Sequence, residues 1–312
     1  MRRILSIDGG GIRGALPASF LATLEDSLGR SVADYFDLIV GTSTGGIIAL
    51  GLGAGLTANE ILSFYESHGP RIFAGNRFLR VLRQIGISKY DPAPLQSALT
   101  EVFHDKKLGD SKKRLVIPSL NLDTGEVHVW KTSHHPRLER DYKSTMVEVA
   151  MATAAAPTYF PTYRSAAGVP LIDGGMWANN PIAVAVVEAI GILNWPRDSF
   201  CVLSLGCGTT PLDVGLGRVW GLGSMYWAVK IAGVFMTAQE KSALGMAQHL
   251  VSDRNNIVRI CPSVSARFGL DEISELKSLK GLGNSEARKA LPTIRPLFFE
   301  TKAADDFTPF HT

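Results

Sequence analysis

Cysteine is scarce in these 312 residues. The three present, Cys201, Cys207 and Cys261, are odd in number and lack metal-type spacing. Cys201 and Cys207 sit in or beside the apolar run FCVLSLGCG, which argues against a disulfide framework or a redox role and for small buried thiols in a reducing compartment. Net charge is also small, +3 at pH 7. The densest basic run, Lys112-Lys113-Arg114, simply precedes a strand, so nothing in the charge supports nucleic-acid binding. Long uninterrupted apolar runs are missing too. Ile4-Leu5-Ser6-Ile7 is cut by Asp8 and is too short for a secretory h-region, despite Arg2 and Arg3. Val219–Met236 is apolar and aromatic, but Lys230 and three glycines interrupt it, which disfavours a membrane span. The chain is therefore expected to be cytoplasmic, with Met1 close to the first strand.

Apolar residues are plentiful, at 46%, enough to bury a large core. RRILSID reads as a short strand, GGGIRG as a turn, and ALPASFLATLEDSLG as a helix that ends at Gly29. YFDLIVGTSTGGIIALGLGAG repeats the pattern, with a strand from Phe36 to Val40. Two strand–turn–helix units this close predict an α/β fold with a mostly parallel sheet and helices on its faces. Further strands are expected at Arg114–Leu122, Glu126–Lys131, Leu171-Ile172, Phe200–Leu205 and Ile257–Ile260, with a hairpin turn at Asp123-Thr124-Gly125. Helices are expected at Thr57–Ser67, Pro92–Phe103, Thr145–Ala155, Pro181–Ile190, within Ser224–Val251, at Glu272–Gly281 and at Asn284–Thr301. No composition break or internal repeat divides the chain, so one domain over 1–312 is expected.

Three short stretches carry chemistry. Gly41-Thr42-Ser43-Thr44-Gly45 is a G-x-S-x-G run between an expected strand and an expected helix. That context turns the serine hydroxyl out of a tight bend, with the positive end of the next helix aimed at it. Ser43 is thus a candidate nucleophile, with Gly41 and Gly45 giving the bend room. None of the seven histidines lies in a glycine turn after an expected strand, so the usual base is missing. Asp173, in Leu171-Ile172-Asp173-Gly174-Gly175, does lie there. A carboxylate screened from water has a raised pKa and can accept a serine proton, although Asp-Gly is also an ordinary turn signal. The first stretch, Asp8-Gly9-Gly10-Gly11-Ile12-Arg13-Gly14, offers free backbone N–H groups to an anion. On its own it fits a dinucleotide pyrophosphate as well as an ester oxyanion. The dinucleotide reading needs an acid at the end of the second strand, but Ser43 follows that strand and Asp37 lies at its start. A silent binding module on the same fold is disfavoured by the presence of both Ser43 and Asp173.

The order and spacing of these three motifs resemble the patatin-like phospholipases, whose pattern is D-G-G-G-x-[RK]-G, then G-x-S-x-G, then D-G-[GA]. Ala152–Pro161 and Asn179-Asn180-Pro181 are also family-like, and the resemblance covers roughly residues 3–210, leaving a C-terminal part over 211–312 without motifs. It implies a three-layer α/β/α fold and a lipid acyl hydrolase working through a Ser–Asp dyad without metal or diffusible cofactor. By that resemblance Ser43 attacks the ester, Asp173 is the base, and Gly9, Gly10 and Gly11 form the oxyanion hole. Arg13, Gly41, Gly45 and Gly174 support it. The chain is also similar in length to bacterial patatin-like effectors of antiphage signalling, which implies a cyclic dinucleotide activator bound away from the glycine turn; the alternative is a constitutive lipid acyl hydrolase without nucleotide control. The expected partners are then a phospholipid at the inner membrane surface and that activator, with a homo-oligomer left open. Two segments are candidate surfaces for the lipid: the basic amphipathic stretch Arg77–Ile85, otherwise a solvated helix, and the aromatic stretch around Trp220, Tyr226 and Trp227, by default a core helix.

Overall fold

The computed structural model describes residues 1–74, 87–211, 214–215, 223–265, 267–303 and 306–312. Arg77–Ile85 and Trp220 lie outside them. Among the described residues, eight strands form one sheet: β1 (Arg2–Ile7), β2 (Leu38–Gly41), β3 (Arg114–Asn121), β4 (Val127–Lys131), β5 (Tyr163–Arg164), β6 (Pro170–Asp173), β7 (Phe200–Leu205) and β8 (Ile257–Ile260). Pairing runs β5-β6-β3-β2-β1-β7-β8, and β4 pairs with β3. The stretch β3-β2-β1-β7-β8 is parallel throughout, whereas β4 and β6 run antiparallel to β3, and β5 antiparallel to β6.

The sheet is apolar on both faces, as a parallel sheet covered by helices requires. Side chains alternate between two cores along each central strand. Leu5, Ile7, Ile39, Leu115, Ile117, Cys201 and Leu203 point to one. Ile4, Leu38, Val40, Val116, Phe200 and Val202 point to the other. Each of these side chains is fully buried, contributing about 1.5–3 kcal/mol per large aliphatic residue. The larger core is covered by α1 (Ala15–Leu28), α2 (Thr44–Ala54), α3 (Ala58–Ile72), α4 (Ala93–Phe103) and α5 (Met146–Thr153). The short α6 (Gly175–Ala178) follows β6 directly. The smaller core is covered by α7 (Ile182–Gly191) and α8 (Ser224–Leu250). The last helix, α9 (Leu276–Phe298), returns to the larger core beside α1. The expected α/β/α layering is what the chain adopts.

Two expectations change. The helices read as Glu272–Gly281 and Asn284–Thr301 are one helix, α9. Gly283 marks a close crossing rather than a break, since a Cβ there would sit 2.4 Å from the Leu16 carbonyl oxygen of α1. Phe298 and Phe299 then pack with Tyr35 and Phe36, just before β2. The second change is the two-residue strand β5, too short to show any periodicity in sequence.

One feature of the sheet places the site. Val116 of β3 pairs with both Val40 and Lys131, and Ser119 with both Asp173 and His128. A strand has two edges, and β4 fills one along Val116–Leu120. The parallel β2 and the antiparallel β6 therefore share the other edge and run towards each other. Their carboxyl ends meet beside Pro118.

Candidate active site

Ser43 sits just past the end of β2 as the N-cap of α2, at φ 54° and ψ −120°. This conformation is costly for a non-glycine residue, on the order of 1–3 kcal/mol, and is the strained bend its sequence context predicts. Gly41 and Gly45 make the bend possible. A Cβ on Gly41 would lie 2.1 Å from the Gly45 carbonyl oxygen, and one on Gly45 2.3 Å from that of Ile7. The bend is pinned from α5: the Ser43 N–H donates to Thr153 Oγ1 at 3.0 Å, and that hydroxyl donates to the Pro118 carbonyl at 2.6 Å.

Asp173 ends β6, which arrives from the opposite direction along the shared edge. Ser43 Oγ donates to Asp173 Oδ2 at 2.6 Å, and the Gly175 N–H donates to Oδ1 at 2.6 Å. Burial pushes the Asp173 carboxyl up to about 6, against the downward pull of these two hydrogen bonds. Gly174 lies flat against β3, where a Cβ would meet the Pro118 carbonyl oxygen at 2.3 Å. A hydroxyl bonded to a carboxylate of raised basicity is suited to nucleophilic attack with direct proton transfer.

The glycine turn follows β1 and abuts the serine, since a Cβ on Gly9 would be 3.3 Å from Ser43 Cβ. The N–H of Gly9 donates to the Asn179 carbonyl at 2.9 Å, that of Ile12 to Leu270 at 2.8 Å and that of Arg13 to Gly10 at 3.1 Å. Of the three glycines expected to hold an oxyanion, Gly9 thus spends its donor on the fold, while Gly10 and Gly11 make no such bond within the described residues. Gly11 has φ +57°, with the Leu270 carbonyl oxygen only 2.2 Å from where a Cβ would be, so no side chain fits there. Arg13 Nη1 donates to the Gly208 carbonyl at 3.3 Å. Asp8, the last residue before the turn, is buried in a two-pronged pair with Arg259 of β8. Burial pushes its carboxyl up to about 6, with Arg259 opposing.

Gly10, Gly11, Ser43 and Asp173 open into one cavity of about 520 Å³. Its walls are mostly apolar and include Phe64, Ile72, Phe73, Leu95, Phe160 and Met236. That size and character suit a hydrocarbon chain with its ester at the polar end. Asp37, the acid a dinucleotide site would need, lies at the other end of β2, where its carboxylate accepts the Arg3 N–H at 2.8 Å. His134 is buried with Thr132 and Glu188, away from the cavity lining. No group of three or more His, Cys, Asp or Glu among the described residues is arranged to hold a metal ion.

Sequence reasoning missed Thr153 and Arg259. Thr153 lies in a stretch noted as family-like but without a role. Arg259 carried a signal, a lone charge inside the apolar strand IVRI, since a buried charge demands a partner. Tyr226 and Trp227 are half-buried at the start of α8 and stack edge to face, with the Tyr226 hydroxyl bonded to the Val214 carbonyl. No helix among the described residues is long and apolar enough to cross a membrane.

A buried serine–aspartate pair at the convergence of two strand ends, beside a glycine turn on a layered α/β/α sheet, defines a class. Residues 5–186 match the family described as Patatin-like phospholipase, and the chain belongs to that family. It is a lipid acyl hydrolase by that membership. Among curated proteins it is similar to a protein named cGAMP-activated phospholipase from Pseudomonas aeruginosa, with 37% identity over 97% of this chain and 92% of that protein. A protein of the same name from Vibrio cholerae is 38% identical over 60% of this chain and 57% of its own length. Among solved structures, VipD from Legionella pneumophila aligns with 90% of this chain and 66% of its own, at 12% identity and a TM-score of 0.44.

Proposed function

We propose that this protein cleaves fatty acyl esters of membrane phospholipids through Ser43 and Asp173. The observation that carries the reading is the 2.6 Å bond from Ser43 Oγ to Asp173 Oδ2 at the polar end of an apolar cavity. Ser43 Oγ attacks the ester carbonyl as its proton passes to Asp173. The carbonyl π pair moves to oxygen, and the resulting oxyanion takes hydrogen bonds from the N–H groups of Gly10 and Gly11. Collapse breaks the bond to the glycerol oxygen, which leaves with the proton from Asp173. Asp173 then takes a proton from water, hydroxide attacks the acyl-enzyme, and the fatty acid departs as Ser43 recovers its proton. Each oxyanion donor in such a site is worth about 3–4 kcal/mol of barrier.

A second element of the proposal concerns control. A relative that matches over 97% of this chain is named as cGAMP-activated, and we extend that to this protein. A cyclic dinucleotide raises its activity, in the setting of antiphage defence, at the cytoplasmic face of the inner membrane. Because the glycine turn adjoins Ser43, the activator binds elsewhere. The test is mass spectrometry of products from mixed phospholipid vesicles, with wild-type protein and Ser43→Ala, each with and without a panel of cyclic dinucleotides. Free fatty acid and lysophospholipid should appear with wild type alone and rise by orders of magnitude with one activator. Equal release by Ser43→Ala overturns the nucleophile. Full activity without activator, unchanged across the panel, overturns the control.

A further inference from the structure

Three of the ties that hold the glycine turn from outside come from Asn179, Arg259 and Leu270. The Asp8 carboxylate is gripped by Arg259, the Gly9 N–H by the Asn179 carbonyl, and the Ile12 N–H by the Leu270 carbonyl. Two of these ties lead to neighbouring residues of α8. Arg259 Nη2 donates to Glu240 Oε1 at 2.8 Å, and the Asn179 N–H donates to Gln239 Oε1 at 2.8 Å. Arg259 Nη1 also donates to Ser204 Oγ of β7 at 2.8 Å. The guanidinium therefore joins β1, β7, β8 and α8 at the root of the turn. Gln239, Glu240, Arg259 and Leu270 all lie beyond residue 186, where the family match stops.

Stability alone does not account for this arrangement. Two carboxylates and one guanidinium, each largely buried, lose to desolvation much of what their attraction gains. A two-pronged guanidinium–carboxylate pair does supply direction, because its parallel bonds fix the angle as well as the distance. The direction fixed here is that of Asp8, from which the chain turns into the Gly10 and Gly11 donors. Donors preorganised for an oxyanion lose their effect when displaced, and an error of about 1 Å can cost on the order of a hundredfold in rate.

We infer that Arg259, seconded by Gln239 of α8, is a positioning residue that aims the Gly10 and Gly11 N–H groups at the developing oxyanion. The inference rests on the Ser43–Asp173 reading above. Arg259→Lys keeps the charge but removes the fork, and Gln239→Leu keeps the shape but removes the acceptor for Asn179. The full chain, with and without added cGAMP, is assayed on a soluble medium-chain nitrophenyl ester for kcat and KM separately. The same proteins are titrated with an alkyl trifluoromethyl ketone. Its carbonyl carbon bonds to Ser43 Oγ, the serine proton goes to Asp173, and the oxygen becomes an anion in the hole. Melting temperature is followed alongside.

Arg259→Lys is expected to lower kcat about ten- to a hundredfold with KM within about twofold. Ketone affinity should fall by the same factor, with only a few degrees lost in melting. Gln239→Leu should move in the same direction by less. Wild-type kcat and ketone affinity in both variants overturn the inference. So does a loss confined to melting or to KM. If Arg259→Lys does not fold, Gln239→Leu decides alone by the same criteria. Wild-type protein that neither binds the ketone nor loses turnover on Ser43→Ala defeats the Ser43–Asp173 reading itself, a different result from the others.

Discussion

Replacing Asp173 by asparagine should make the protein inactive and more stable at once. The carboxyl is held at about 6 in the folded chain against 3.8 ordinarily, mainly by burial. Below about pH 4 it is protonated in both folded and unfolded chains. Between about 4 and 6 the folded chain keeps the proton while the unfolded chain has released it, so stability falls as pH rises through this window and stays lowered above it. The gap of about 2.2 pH units, at about 1.36 kcal/mol each, corresponds to ~3 kcal/mol. Asparagine removes that penalty, but its amide can accept only one of the two bonds given by Ser43 Oγ and the Gly175 N–H, costing about 1 kcal/mol. A net gain of ~2 kcal/mol remains near pH 8. For 312 residues, at about 2.1 cal/mol/K each, that is a rise of ~3 °C in melting temperature. Calorimetry of both proteins from pH 4.5 to 8 should show the advantage of Asp173→Asn growing with pH and levelling off above about 6. Asp8, also raised to about 6, titrates in both proteins and cancels in the difference. Esterase activity should fall by at least about a hundredfold at every pH. A variant that is less stable at pH 8 than wild type, or a difference independent of pH, would refute the argument from burial. Retained activity would refute the role of Asp173 as base.

Other tests address the same geometry. Wild-type kcat/KM should rise with pH through about 6 and level off above 7, because only ionised Asp173 accepts the serine proton; a flat profile from pH 5 to 8 contradicts this. Thr153→Val removes the hydroxyl that links the Ser43 N–H to Pro118, and should lower kcat about tenfold or more with the melting point reduced by a few degrees. Gly10→Ala puts a methyl 2.4 Å from Cys207 Cβ, and should displace the turn and lower kcat while leaving KM nearly unchanged. Gly283→Ala drives a methyl to 2.4 Å from the Leu16 carbonyl, and should lower the melting temperature through the α1–α9 crossing without altering KM in the protein that remains folded.

The residues of the candidate site were legible in the sequence because each sits in a backbone bend that few residue types tolerate. Gly41 precedes Ser43 because a Cβ there would collide with the Gly45 carbonyl oxygen, a restriction that acts within five residues, whereas Gly45 is kept bare by the Ile7 carbonyl oxygen of β1. The layering was legible for a similar reason, since strand–turn–helix units repeat with local periodicity. A two-residue strand such as β5 has none, and Gly283 looks like a helix break until α1 is seen beside it. What only the tertiary structure decided was which of these pieces meet. Ser43 and Asp173 lie 130 residues apart, and they touch because β2 and β6 share one edge of β3 and converge at Pro118. That Gly9 gives its N–H to Asn179, and that Arg259 grips Asp8 from 251 residues away, likewise have no local signature. Backbone strain is encoded beside the residue that bears it, whereas a hydrogen-bond partner brought by sheet register is encoded only in the whole chain.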